Sequence, residues 1–183
     1  MNKEVTAIVS LGKDSLVQMA LELVDEKVGV EYFAKIRVMT DGREVYVSFQ
    51  NPVKYLPMNS AYYFDLNVSL LDQVTSYGAV TNGIVRAEEK PRFYQQTQET
   101  KENIQFVVDA INRSDATGTI NLADFKNEMT IREQKQYYDI TVISAFQESS
   151  YKIEKTSGKL YNVEHAQLVP PPFEDERVLM EIN

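Results

Sequence analysis

Ala61-Tyr62-Tyr63-Phe64-Asp65-Leu66-Asn67-Val68-Ser69-Leu70 decides how this chain is read. Tyr62, Phe64, Leu66, Val68 and Leu70 fall at every second position, with Asp65, Asn67 and Ser69 between them. Successive side chains of a strand point to opposite faces, so this stretch has one apolar and one polar face. Such a strand belongs to a sheet packed on one side. The face Tyr62-Phe64-Leu66-Val68 reads as core, and binding aromatics are to be sought on neighbouring strands.

Upstream, Glu31 to Met39 and Glu44 to Phe49 are rich in β-branched and aromatic residues and flank Thr40-Asp41-Gly42-Arg43. Asp-Gly between two such runs predicts a hairpin, because glycine accepts positive φ. Pro52 and Pro57 bracket a connection that cannot be an interior strand. Downstream, Asn82-Gly83 precedes Ile84 to Glu88, which reads as the partner strand.

The middle of the chain changes character. Residues 95 to 103 are polar, and Ile104, Val107, Val108 and Ile111 then recur at helical spacing. Asn121 is a reasonable N-cap for a second helix with Leu122, Phe125 and Met129 on one stripe. β character returns with Tyr137 to Phe146, and with Tyr151 to Thr156 and Leu160 to Val169 around a Ser157-Gly158-Lys159 loop. Tyr62-Tyr63-Phe64-Asp65-Leu66 and Tyr137-Tyr138-Asp139-Ile140 echo one another. Duplication and shared β propensity both account for the echo.

These elements predict an α+β chain, mainly antiparallel β, as an OB-like barrel or a twisted sheet with two or three short helices. The expected organisation is a β-rich domain over 1–94, a helical segment over 95–135 and a β-hairpin region over 136–172 that completes the same or a second sheet. A flexible acidic tail over 173–183, with Glu174-Asp175-Glu176 near its start, ends the chain.

Composition narrows the chemistry. With no cysteine and a single histidine, His165, the chain has no disulfide, thiolate nucleophile or multi-histidine metal site. His165 lies in an alternating stretch and reads as a solvent-facing strand residue. No apolar run approaches the length that spans a bilayer, and no signal-peptide pattern is visible, so a cytoplasmic location is expected. The net charge of −8 argues against a strong, nonspecific duplex binder. Ser10-Leu11-Gly12-Lys13-Asp14-Ser15 is similar to the pyrophosphate loop of N-type ATP pyrophosphatases, with Leu11 where that loop has its first glycine. It reads instead as a glycine turn before an Asp14 or Ser15 N-cap. No acidic spacing matches a metal loop, and neither a cofactor nor enzymatic activity is expected.

Aromatic residues are the more suggestive inventory, with 11 Tyr, 8 Phe and no Trp. Bases stack on exposed rings for about 1–3 kcal/mol each, while basic neighbours follow the phosphates. Tyr32, Lys35, Arg37, Tyr46, Lys54 and Tyr55 interleave the two types, as do Arg86 and Arg92 with Lys90, Phe93 and Tyr94.

The hairpin, the proline-marked connection, Tyr62 to Leu70 and Ile84 to Glu88 together resemble OB-fold single-stranded-DNA-binding proteins over about residues 31 to 90. That resemblance implies base stacking on a barrel face and an acidic tail that recruits a protein partner. A lesser resemblance is to the stage V sporulation protein G family, a DNA-binding family. Val5-Thr6, Ile36-Arg37-Val38, Gly42 and Tyr46-Val47 are similarly spaced, with Phe49-Gln50-Asn51-Pro52 in place of its Met-Pro step. The expected function is therefore non-enzymatic nucleic-acid binding, single strands above all, by a homo-oligomer. The rival is a structural or assembly protein, such as a virion or complex component, whose strands pack against other chains.

Overall fold

Asp41-Gly42 turns the chain as its sequence predicts. Gly42 takes φ +83°, a left-handed conformation open to glycine at little cost. The Asp41 carboxylate accepts the N–H groups of Arg43 and Glu44, each at 2.9 Å. The turn joins β1 (Lys35–Thr40) to β2 (Val45–Gln50) antiparallel, with Arg37 opposite Ser48 and Met39 opposite Tyr46. The computed structural model describes residues 3–86, 89–114, 119–169 and 180–182. The chain divides into two units, one of Met1–Asn51, Tyr63–Ala79 and Phe173–Asn183, the other of Pro52–Tyr62 and Val80–Pro172.

In the first unit, α1 (Lys3–Val9) and α2 (Lys13–Glu22) pack on β1 and β2. Val5, Leu16, Val17 and Ala20 are buried with Val38, Val47 and Phe49. The β-branched run at Val5 to Val9 is thus helical, where its sequence suggests extension. A helix, not a strand, precedes the Gly12 turn, so no strand-loop-helix phosphate cradle forms. Gly12 itself, at φ +80°, occupies the N-cap position of α2 without a side-chain cap, in place of Asp14 or Ser15.

Further along are β3 (Val53–Leu56), β4 (Ser60–Ser69), β5 (Val74–Asn82) and β6 (Arg92–Phe93). Phe64, Leu66 and Val68 of β4 are buried, as their alternation requires. Its hydrogen-bonded neighbour β5 is not Ile84 to Glu88. The turn at Leu70 to Gln73 returns the chain at once, so the preceding segment takes the place beside β4. Ile84 lies outside any strand and is 86% exposed, and residues 87 and 88 are outside the described set. Asn51 ties this unit's connection: its amide donates to the carbonyls of Tyr32 and Phe64 and accepts the Ala34 N–H.

The second unit holds α3 (Gln98–Ser114), β7 (Glu128–Glu133), β8 (Tyr137–Ile143), β9 (Gln147–Glu154) and β10 (Leu160–Gln167). Thr97 and Thr100 cap α3 reciprocally, each backbone N–H donating to the other's hydroxyl. Ile104, Val107, Val108 and Ile111 form its buried stripe. Asn121 caps only a short 3-10 turn, Leu122–Asp124, accepting the Ala123 N–H at 3.1 Å. The helix expected to carry Met129 is absent, because Met129 and Ile131 alternate inward from strand β7. Among its described residues, the span 95–135 therefore holds one helix, a turn and a strand.

The first sheet runs β11-β1-β2-β4-β5, with β11 (Met180–Glu181) at one edge and β6 alongside β4. The second runs β10-β9-β8-β7-β3, with β3 parallel to β7 at an edge, where its flanking prolines are tolerated. The fold is α+β with mostly antiparallel strands in two open sheets. No closed barrel forms among the described residues. The two Tyr-Tyr strands, β4 and β8, lie in different sheets. Glu174-Asp175-Glu176 of the expected tail lies outside the described residues, whereas Met180 and Glu181 pair with Thr40 and Met39.

Candidate nucleic-acid interface

Strand parity sorts the first sheet into two faces. Ile36, Val38, Val47, Phe49, Leu66 and Val68 face the helices. Lys35, Arg37, Tyr46, Asp65, Asn67 and Ser69 occupy the opposite face, with Tyr46 opposite both Met39 and Ser69. Lys35 and Asn67 are exposed, and Arg37, Tyr46 and Asp65 half-buried, so this is the more open side. Tyr63 shares the parity of Asp65 and Asn67. Its ring lies 5.0 Å from that of Tyr77 on β5, tilted by 40°. One sheet face thus collects the cations Lys35 and Arg37 with the rings of Tyr46, Tyr63 and Tyr77.

Not all the residues expected to bind nucleic acid gather there. Tyr32 sits in a 3-10 turn, Val30–Tyr32, beside a shallow cleft where Glu22, Asp25, Glu26 and Glu31 outnumber the single cation Lys27. That acidic wall repels phosphate. In the second unit, Tyr55 is 1% exposed and has no ring face to offer a base. Its hydroxyl donates to Glu133 at 3.1 Å and accepts the Asn103 amide at 3.0 Å. Burial, with the nearby Tyr138 and Glu133, holds its phenol well above the usual range. Lys54 is also buried and ion-pairs with Glu128 at 3.6 Å. The two adjacent residues point to opposite faces of β3: Tyr55 is held by Asn103 of α3 and Glu133 of β7, and Lys54 by Glu128 of β7. Arg86 is exposed outside any strand. Arg92 lies over the Tyr62 ring, 5.7 Å from its centroid, and Tyr62 meets Tyr94 edge-on at 5.6 Å.

Tyr77 escapes the sequence reading, whereas the sequence carries a signal for Tyr63. Tyr63 occupies the polar-face parity of the stretch Ala61 to Leu70. Tyr77 lies in β5, whose weak alternation hides it.

Elsewhere, His165 is exposed on β10, and its Nδ1 is 2.8 Å from the Ser149 hydroxyl of the facing strand. Among the described residues no group of His, Asp and Glu side chains is placed to hold a metal ion. No described helix is long and apolar enough to cross a membrane. No protein-family model matches the chain, and neither a curated protein nor a solved structure matches it significantly.

Proposed function

We propose that this chain is a non-enzymatic, cytoplasmic nucleic-acid-binding protein that takes single strands on the outer face of its first sheet. The observation that carries this reading is the gathering of Lys35, Arg37, Tyr46, Tyr63 and Tyr77 on one face, opposite the helix-covered side. Rings on an open sheet accept bases without regard to sequence, and the adjacent cations neutralise phosphates. The overall charge of −8 suits local rather than long-range attraction, and so favours flexible single strands over duplex.

Titration with an unlabelled oligonucleotide tests it. Binding quenches tyrosine emission, and the affinity falls as salt rises. Neither quenching nor a mobility shift at low salt would leave the rival reading, an assembly component. The second sheet supplies a specific reason to keep that rival, because Ile143, Phe146, Tyr161 and Val163 stand exposed on or beside its strands.

A further inference from the structure

A cavity of about 610 Å³ opens in the second unit, between the end of α3, the segment 119–127 and the turn from β8 to β9. Small-molecule sites occupy about 300–1,000 Å³, so the volume suits a compact ligand. Ile111, Ser149 and Tyr151 of its lining are buried, Phe125 and Val142 half-buried, and Lys126 and Asn127 exposed. The inner wall is therefore uncharged. The charges of the lining, Asp124 and Lys126, stand at the mouth. Whatever part of a ligand enters is neutral, since an ion there would lose its water without gaining a counter-charge.

The polar groups of the wall divide into those already engaged and those with capacity to spare. The Ser149 hydroxyl lies 2.8 Å from His165 Nδ1 and accepts Gln147 Nε2 at 3.1 Å. The Asn121 amide accepts the Ala123 N–H and donates to Asp124 at 3.3 Å. Gln147 keeps its side-chain oxygen as an acceptor, and Asn127 keeps a whole amide, which can both donate and accept. Lys126 has no carboxylate partner among the described residues.

We infer that this cavity takes one nucleobase, as a nucleoside 5′-monophosphate whose phosphate meets Lys126. A base is flat and neutral, stacks on aromatic side chains such as Phe125 and Tyr151, and carries donors and acceptors along its edge. Asn and Gln side chains read such edges, two bonds at a time. A lysine at the mouth supplies a point charge for the phosphate that stays in water. A hydrocarbon ligand would instead bury the Gln147 oxygen and the Asn127 amide without partners. A polyphosphate would meet a single cation with Asp124 close to it in sequence and at the same mouth.

Calorimetric titration with the four ribonucleoside 5′-monophosphates is the test. The probe is a free mononucleotide, so the outcome does not depend on strand binding at the first sheet. At least one of the four is expected to bind, and more tightly than ribose 5-phosphate, which lacks the base. Asn127→Ala, at an exposed position, should weaken that binding about tenfold by removing contacts to the base edge. Phe125→Ala should weaken it about tenfold or more through the lost ring. Lys126→Ala should weaken the nucleotide more than its nucleoside. Circular dichroism checks that each variant folds. Should Phe125→Ala fail to fold, Phe125→Leu removes the ring and keeps an apolar side chain. No binding at millimolar concentration, or equal affinity for ribose 5-phosphate, would overturn the assignment. Binding that survives both Asn127→Ala and loss of the Phe125 ring would overturn it as well, by placing the base elsewhere.

Discussion

The Ser69 hydroxyl donates to the Glu44 carboxylate at 2.7 Å, joining the end of β4 to the turn between β1 and β2. The same carboxylate accepts the N–H groups of Val45, Leu71 and Asp72 at 2.6–2.9 Å. One nearly buried acid thus satisfies the backbone of the β4–β5 turn and ties it to the neighbouring hairpin. Thr40 completes the tie, donating its hydroxyl to the Glu44 carbonyl at 2.7 Å.

Acid should loosen this clamp. Burial disfavours the Glu44 charge, but the bonds from Ser69, Leu71, Val45 and Asp72 outweigh it and hold the carboxyl below its ordinary value of 4.5. A lowered native pKa adds stability above the unfolded value, and that stability is lost as pH falls through the native value. Glu44→Gln should therefore lower the thermal midpoint at neutral pH, at a cost of about 1–3 kcal/mol. The difference from the unmodified protein should shrink as pH drops below 4.5. Melts across that range check both the sign and the window.

Asn82, at the end of β5, is the counterpart in the second unit and is 3% exposed. Its amide nitrogen contacts the carbonyls of Leu56, Pro57 and Glu133 at 2.8–3.1 Å, and its oxygen accepts Gln134 Nε2 at 3.0 Å. Asn82→Ala should cost about 1–3 kcal/mol by orphaning buried carbonyls. Asn82→Asp should cost more, because it turns a carboxylate toward those same oxygens. Urea unfolding of the two variants ranks them, and the reverse order would show that the amide matters little.

Tyr55→Phe separates an interior tyrosine from a binding one. The phenylalanine keeps the ring contact with Tyr138, whose centroid lies 6.3 Å away, and loses only the bonds to Glu133 and Asn103. A stability loss of about 1 kcal/mol with unchanged oligonucleotide affinity is expected. A fall in affinity would return Tyr55 to the interface.

Most of the sheet was legible because period-two patterning and glycine turns are local. Phe64-Leu66-Val68, Asp41-Gly42 and Gly158 each carried their own signal. The misses arose where long-range pairing overrode local pattern. Leu122, Phe125 and Met129 stand at helical spacing, yet Met129 and Ile131 pair with β3, far away in sequence, as well as with the next strand, β8. Strand β5, with Thr75-Ser76-Tyr77-Gly78-Ala79, lacks an apolar face, and only its neighbour makes it a strand. The candidate interface was legible in Lys35, Arg37 and Tyr46, which share one hairpin. Lys54 and Tyr55 carry the same residue types, and only the packing of their sheet reveals them as interior.

The outer face of the first sheet makes the sharpest demand. If stacking and phosphate contacts are divided as its residues suggest, the two kinds of substitution must differ in salt dependence. Tyr46→Ala and Tyr63→Ala should each weaken oligonucleotide binding by about 1–3 kcal/mol and leave the salt slope intact. Arg37→Ala and Lys35→Ala should weaken binding mainly at low salt and flatten the slope of log affinity against log salt, each by roughly 0.7 for a single strand. Arg86→Ala, on the second unit and outside any strand, should change neither quantity. Titrations of these variants at several salt concentrations measure both. Equal slopes in Arg37→Ala and Tyr46→Ala would mean that the phosphates run elsewhere.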